Sequence, residues 1–210
     1  IDNTFATPVN FRPHRLGFDL VCHSATKALN GHSDIAAGAV TGTAERIARV
    51  ASVLGAYGGS LDPHAAFLLA RGLKTLALRV RAQNANALAV ARFLASHERI
   101  AHVSHPGLVT HPDHERAAEL FDGFGSVLSF RPVGGVSAAE ALIKSLRLPY
   151  AAPSLGGVES LVTRPGVGGH TESGAAETEG VAEDLVRFSA GIEATDALDA
   201  DFAQALDSWA

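Results

Sequence analysis

The chain has 210 residues, 47% of them hydrophobic, and a net charge of -5, enough to build a sizeable core in one large or two small domains. Without a basic excess it has no electrostatic footprint for nucleic acid, and its one cysteine excludes an internal disulfide framework and a cysteine-rich zinc site. No long apolar run and no leader peptide stands out, so no membrane span is expected and the cytoplasm is the expected compartment.

Asp2 follows an apolar residue at what reads as a strand end, with Asn3, Thr4 and Pro8 marking the loop after it. Phe18 to Cys22, broken by Asp19, reads as a short buried strand in which Cys22 is a buried, inert thiol. The strand opens into Ser24-Ala25-Thr26-Lys27 and then Gly31-His32-Ser33-Asp34, where His32 and Asp34 are read as bracing the loop. Residues 36–41 return as a strand, and Thr43 caps a helix with Ile47, Val50, Ala51 and Leu54 on one face, stopped by Gly55. The glycine-rich residues 55–60 lack phosphate-cradle spacing and read as a bend, after which Asp62-Pro63 starts another helix. From Leu73 to about Ser96, apolar residues at helical spacing alternate with Lys74, Arg79, Arg81, Asn84 and Arg92, which predicts a long amphipathic helix.

Beyond it the pattern predicts a strand over 100–103, a helix over 111–121 and a strand over 125–130. A helix over 138–145 follows, capped by Ser137, and a Gly-Gly bend in 154–161 leads into a strand. Residues 164–180 read as a surface loop with Arg164 a surface group, followed by a strand over 186–192 and a closing helix over 198–209. The ten histidines are scattered, and His111-Pro112-Asp113-His114 lies in a turn, unlike a helix-borne zinc pair; no metal site is expected.

Chemistry concentrates at Lys27. A lysine at a strand end beside two hydroxyls can leave water, and desolvation lowers its pKa and makes it a nucleophile for carbonyls. Ser24 and Thr26 can donate to a phosphate, a combination that fits a pyridoxal phosphate (PLP) lysine. Ser-x-Thr-Lys is short, and an ordinary surface lysine after a turn is the alternative.

Several motifs in order extend the pattern: Asp2-Asn3-Thr4-Phe5-Ala6-Thr7-Pro8, Arg12-Pro13, Leu16-Gly17, Ser24 to Lys27, Gly31 to Asp34, Ser154-Leu155-Gly156-Gly157-Val158-Glu159-Ser160-Leu161, and Leu185-Val186-Arg187-Phe188-Ser189-Ala190-Gly191-Ile192-Glu193. Together they resemble the Cys/Met-metabolism family of PLP enzymes, which includes cystathionine γ-synthase, the cystathionine lyases and methionine γ-lyase. The resemblance implies an α/β fold of the fold-type I, aspartate aminotransferase-like class. Residues 1–73 would then be the back part of the PLP-binding domain, and 74–210 a linking helix and a small α+β C-terminal domain.

The resemblance also implies roles. Lys27 would hold PLP covalently and shuttle protons, Ser24 and Thr26 would bind its phosphate, and Asp2 would pair with the pyridinium. Arg187 would bind the substrate α-carboxylate with help from Ser154, while Glu159 either influences which thioether end is accepted or is a loop carboxylate without substrate contact. The expected reaction is elimination or replacement at the γ (or β) carbon of a sulfur- or acyl-bearing amino acid. A non-catalytic subunit of the same fold, or a sulfhydrylase acting on an O-acylhomoserine, stands as the alternative. Residues 163–170 depart from the family pattern at the substrate entrance. The chain has no Met and starts inside a motif. The resemblance therefore implies that about half a polypeptide precedes Ile1, as a cleaved or separately encoded partner in a tetramer-type homo- or hetero-oligomer. The ring-stacking tyrosine and glycine-rich phosphate loop would lie there, and this chain alone would bind PLP poorly.

Overall fold

A computed structural model describes residues 1–165 and 181–208, a mixed α/β structure. Thr7–Asn10 forms one helical turn, α1, and strand β1 (Leu20–Ser24) pairs antiparallel with β2 (Gly38–Gly42), Cys22 facing Val40. Residues 1–3 run parallel along the other edge of β1, where Asn3 N–H donates to Cys22 O at 2.8 Å. Between β1 and β2, Ala25–Leu29 makes a single wide turn of π type.

Helix α2 (Ala44–Tyr57) starts where the Thr43 hydroxyl accepts the Arg46 N–H, as its sequence predicts. It runs through Gly55, because an isolated glycine lowers helix propensity by only about 1 kcal/mol, and ends at Gly58 with φ +84°. None of its residues is buried, and Tyr57 is 88% exposed. Cys22 is likewise exposed, correcting the expectation of a buried thiol: its side chain faces away from the buried Val21 and His23. Asp62 caps α3 (Pro63–Leu73) by accepting from His64 and Ala65, and Thr75 separates α3 from the 20-residue α4 (Leu76–Ala95).

The second sheet has the order β3-β4-β7-β6-β5, with β3 (Ile100–Ser104), β4 (Val127–Pro132), β5 (Tyr150–Ala151), β6 (Leu161–Thr163) and β7 (Val186–Ser189). All its pairs are antiparallel except β5–β6. The two-residue β5 escapes a pattern reading, being too short to show alternation. The remaining helices are α5 (His114–Leu120), α6 (Gly135–Ser145) and α7 (Thr195–Asp207). Helix α6 begins before Ser137, after a left-handed Gly134, so Ser137 is not its cap. The expected loop over 164–180 and the end of the closing helix lie partly outside the described residues. Arg164, expected at the surface, is 9% exposed and holds Glu140 Oε1 and Glu183 O.

The main core lies between this sheet and helices α4, α6 and α7. Leu94, Leu128, Phe130, Leu142, Phe188, Leu198, Phe202 and Leu206 are nearly or fully excluded from water there. The Phe202 ring meets Phe188 edge-on at 5.1 Å and Phe130 at 6.2 Å. A small second cluster, Ala28, Leu76 and Val80, packs α4 against the turn after β1. No helix among the described residues is long and apolar enough to cross a membrane.

His105 is fully buried between Gly107 N–H, which donates to Nδ1 at 3.1 Å, and Gly125 O, 3.4 Å from Nε2. Burial pushes its pKa below 6.5. The unfolded chain therefore takes up this proton first as pH falls, so stability is complete above 6.5 and declines below it until the folded imidazole also protonates. His23 shifts in the same direction. The denaturant midpoint is expected to fall between about pH 7.5 and about pH 5, and to fall less in His105→Gln.

Candidate active site

Strand β1 delivers Lys27 into the wide turn. Ala25 and Ala28 are small enough to bury at its base, and the i→i+5 bond from Asn30 N–H to Ala25 O closes it. Lys27 itself leaves helical geometry, with φ -85° and ψ -134°, and its Nζ donates to Ser154 Oγ at 2.9 Å. Burial, followed by the charge of Arg187, lowers the amine's pKa from the usual lysine value.

Ser154 stands on the loop between β5 and β6. Gly156 has φ +77°, and a Cβ there would meet Ala28 N at 2.7 Å, so this loop presses directly on the lysine turn only because glycine is present. The loop is stitched in place by Val158 N–H to Gly31 O at 3.0 Å and Gly156 N–H to Ser189 Oγ at 3.1 Å. Arg187, half-buried on β7, donates Nη2 to Pro153 O at 2.5 Å and Ser154 O at 3.2 Å. Among the described residues no carboxylate pairs with it. The structure thus brings Lys27, Ser154 and Arg187 together. Glu159 goes elsewhere: its Oε1 accepts the Ser33 hydroxyl, tying it to the loop after the lysine, where Ser33 has a left-handed backbone (φ +57°).

Asp2 accepts the Thr4 N–H at 2.8 Å, and the hydrogen bonds from Thr4 hold its carboxyl below the ordinary carboxylate range. Thr4 Oγ1 in turn accepts the Ser24 N–H at 2.7 Å, locking the Asp2 loop to the end of β1. Thr26 Oγ1 accepts Ala37 N–H at 2.9 Å and donates to Ala37 O over a long 3.3 Å. His23, which sequence reasoning passed over, is buried beside Asp2 with Nδ1 unpartnered among the described residues; burial pushes its pKa down against the pull of Asp2. Its signal was an inward-facing polar residue in an apolar strand.

A depressed amine, an ionised carboxylate, hydroxyls at Ser24 and Thr26 and a cation awaiting an anion match the aldehyde, pyridinium and phosphate of PLP and the carboxylate of an amino acid. The donor set fits that cofactor. An apolar groove of about 600 Å³ lined by Val50, Val53, Leu54 and Tyr57 lies on α2 and holds none of these groups. No three metal-binding side chains converge among the described residues.

The family model for the Cys/Met metabolism PLP-dependent enzymes matches residues 1–207. The chain belongs to this family. Cystathionine γ-synthase 1 of Nicotiana tabacum is 44% identical over 99% of this chain and 39% of its own length. Cystathionine γ-synthase of Mycobacterium bovis is 45% identical over 98% and 53%. The crystal structure of cystathionine γ-synthase from Xanthomonas oryzae pv. oryzae, in complex with aminoacrylate and cysteine, superposes with a TM-score of 0.93. It is 41% identical and is covered over 98% of this chain and 54% of that one. The fold is therefore that of the fold-type I PLP enzymes, in its C-terminal half. The Cys/Met metabolism chain spans about half the length of the relatives it matches.

Proposed function

We propose that this chain forms the C-terminal half of a PLP-dependent transsulfuration-type enzyme. It would act by γ- (or β-) elimination or replacement on a sulfur- or acyl-bearing amino acid such as cystathionine or an O-acylhomoserine. The observation that carries this reading is the Lys27 amine, lowered in pKa and 2.9 Å from Ser154 Oγ, beside an Arg187 with no carboxylate partner among the described residues. The names of the relatives support the same class.

PLP, when bound, supplies the electron sink that stabilises negative charge at the substrate α-carbon. Asp2, ionised, would keep the ring nitrogen protonated, and Ser24 and Thr26 would donate to the phosphate, Thr26 in place of its long bond to Ala37 O. Arg187 takes the α-carboxylate through a planar fork, a geometry a lysine lacks. Lys27 Nζ, oriented by Ser154, removes the α-proton and returns a proton at Cα or Cβ. Glu159 acts through Ser33 on the loop after Lys27. The partner is an N-terminal half, and the working unit is an oligomer.

The test is the assembled enzyme, purified with its N-terminal half and PLP, incubated with an O-acylhomoserine plus cysteine, with cystathionine, or with an O-acylhomoserine plus sulfide. Formation or cleavage of cystathionine is expected. Thioether chemistry absent while sulfide is incorporated would transfer the assignment to a sulfhydrylase; absence of yellow absorbance from the assembly would overturn the enzyme reading.

A further inference from the structure

Helix α4 carries three polar residues, Arg79, Gln83 and Asn86, at i, i+4 and i+7, a spacing that puts them on one face. They are 4%, 1% and 3% exposed. A buried polar side chain is unfavourable unless its hydrogen bonds are met, and an apolar side chain would serve simple packing better. Each residue donates to main-chain carbonyls of a different segment, and Arg79 also donates Nε to Thr75 Oγ1 at 3.1 Å.

Arg79 donates Nη1 to Ala28 O at 2.8 Å and Nη2 to Leu29 O at 3.3 Å, carbonyls of the turn that carries Lys27. It also reaches Gly72 O at 2.8 Å and has no acidic partner among the described residues. Gln83 Nε2 donates to Gly157 O at 2.6 Å, on the loop of Ser154. Asn86 Nδ2 donates to Gly191 O at 3.1 Å and Glu193 O at 2.8 Å, just after the strand that carries Arg187. Thr195 Oγ1 holds the Asn86 amide oxygen at 2.6 Å, fixing which end faces the carbonyls.

Glycine allows the approach. At Gly31, φ +74°, a Cβ would meet Arg79 Nη1 at 1.9 Å. From Arg79 to Asn86 the helix rises about 10 Å, as a rigid rod at about 1.5 Å per residue. Its far end is clamped in the main core by Val90, Ala91 and Leu94.

We propose that this buried polar face of α4 sets the relative positions of Lys27, Ser154 and Arg187, making Arg79, Gln83 and Asn86 positioning residues for the reaction. The inference rests on the reading of those three as the reacting and carboxylate-binding groups. The helix holds the lysine turn, the serine loop and the arginine strand to one straight element, so the Lys27–Ser154 contact is fixed by a side-chain ruler as well as by the loops themselves.

The test needs no cofactor. Trace acetylation of the purified protein across pH, followed by peptide mass spectrometry, gives the pH midpoint of Lys27 reactivity, with exposed Lys74 and Lys144 as references in the same chain. Arg79→Lys keeps the charge but loses the fork, and Gln83→Met keeps the volume but loses the donor. In both, the Lys27 midpoint is expected to rise by about half a pH unit or more, as the amine gains water and separates from Arg187. The core variant Phe202→Leu, brought to the same loss of thermal stability, is expected to leave it unmoved. An unchanged Lys27 midpoint in Arg79→Lys and Gln83→Met, or an equal rise in Phe202→Leu, overturns the proposal. If Gln83→Met does not fold, Gln83→Leu, which removes the donor without adding a charge, is read by the same criterion. Missing yellow absorbance with PLP would sink the enzyme reading and leave this measurement standing.

Discussion

Lys27→Ala is expected to lower turnover of the assembled enzyme by about ten-thousandfold, the upper range for removing a positioned proton-transfer group. The same substitution removes the amine proposed to hold the cofactor covalently, so the yellow band and any borohydride-stable label on this chain should vanish together. Both losses trace to one atom: Nζ, drawn out of water at the end of β1 and held 2.9 Å from Ser154 Oγ. Melting should change little, because a half-buried lysine whose pKa the fold depresses contributes no favourable ion pair. Added methylamine is expected to restore part of the rate by entering the vacated space. An unaltered absorbance in Lys27→Ala would place the reactive amine elsewhere, and the roles given to Ser154 and Arg187 would lapse with it.

Arg187→Ala is expected to reduce kcat/KM by about a hundredfold or more. Removing one partner of a buried ion pair costs about 3–5 kcal/mol, and about 1.4 kcal/mol is a factor of ten. The partial exposure of Arg187 puts the effect at the lower end. Most of the loss should appear as KM, since on the proposed role Arg187 binds the carboxylate in both ground and transition states. Arg187→Lys should recover little, because the ammonium cannot donate as a fork to the substrate while also holding Pro153 O and Ser154 O. The pH profile supplies an independent sign. Arg187 lowers the Lys27 pKa by like-charge repulsion, so removing it favours the protonated amine and moves the rising limb of the profile to higher pH. A variant whose KM is unchanged would make Arg187 a strut for residues 153–154 and open the question of what binds the carboxylate.

The sequence by itself determined the elements whose signals are local. Thr43 and Asp62 cap α2 and α3 through their own side chains. Period-3.6 apolar spacing marked α4, and the ordered motifs from Asp2 to Glu193 were sufficient for the family. Boundaries slipped where a local signal was weaker than its reading, and where an element exists only through a partner. Helix α2 continued through Gly55, α6 began before Ser137, and the two-residue β5 exists only by pairing with β6.

Burial and contact were decided by tertiary structure alone. Cys22 read as core because its neighbours are apolar, yet it faces away from the buried Val21 and His23, while Arg164 read as surface and is enclosed. Glu159 went to Ser33 because the Gly156-Gly157 bend carries it over the lysine loop, a direction that spacing cannot give. The polar face of α4 was visible as letters, but Arg79, Gln83 and Asn86 acquire meaning from carbonyls 51, 74 and 105 residues away in sequence. A hydrogen bond depends on position in space, and only the folded chain sets which carbonyl stands opposite each donor.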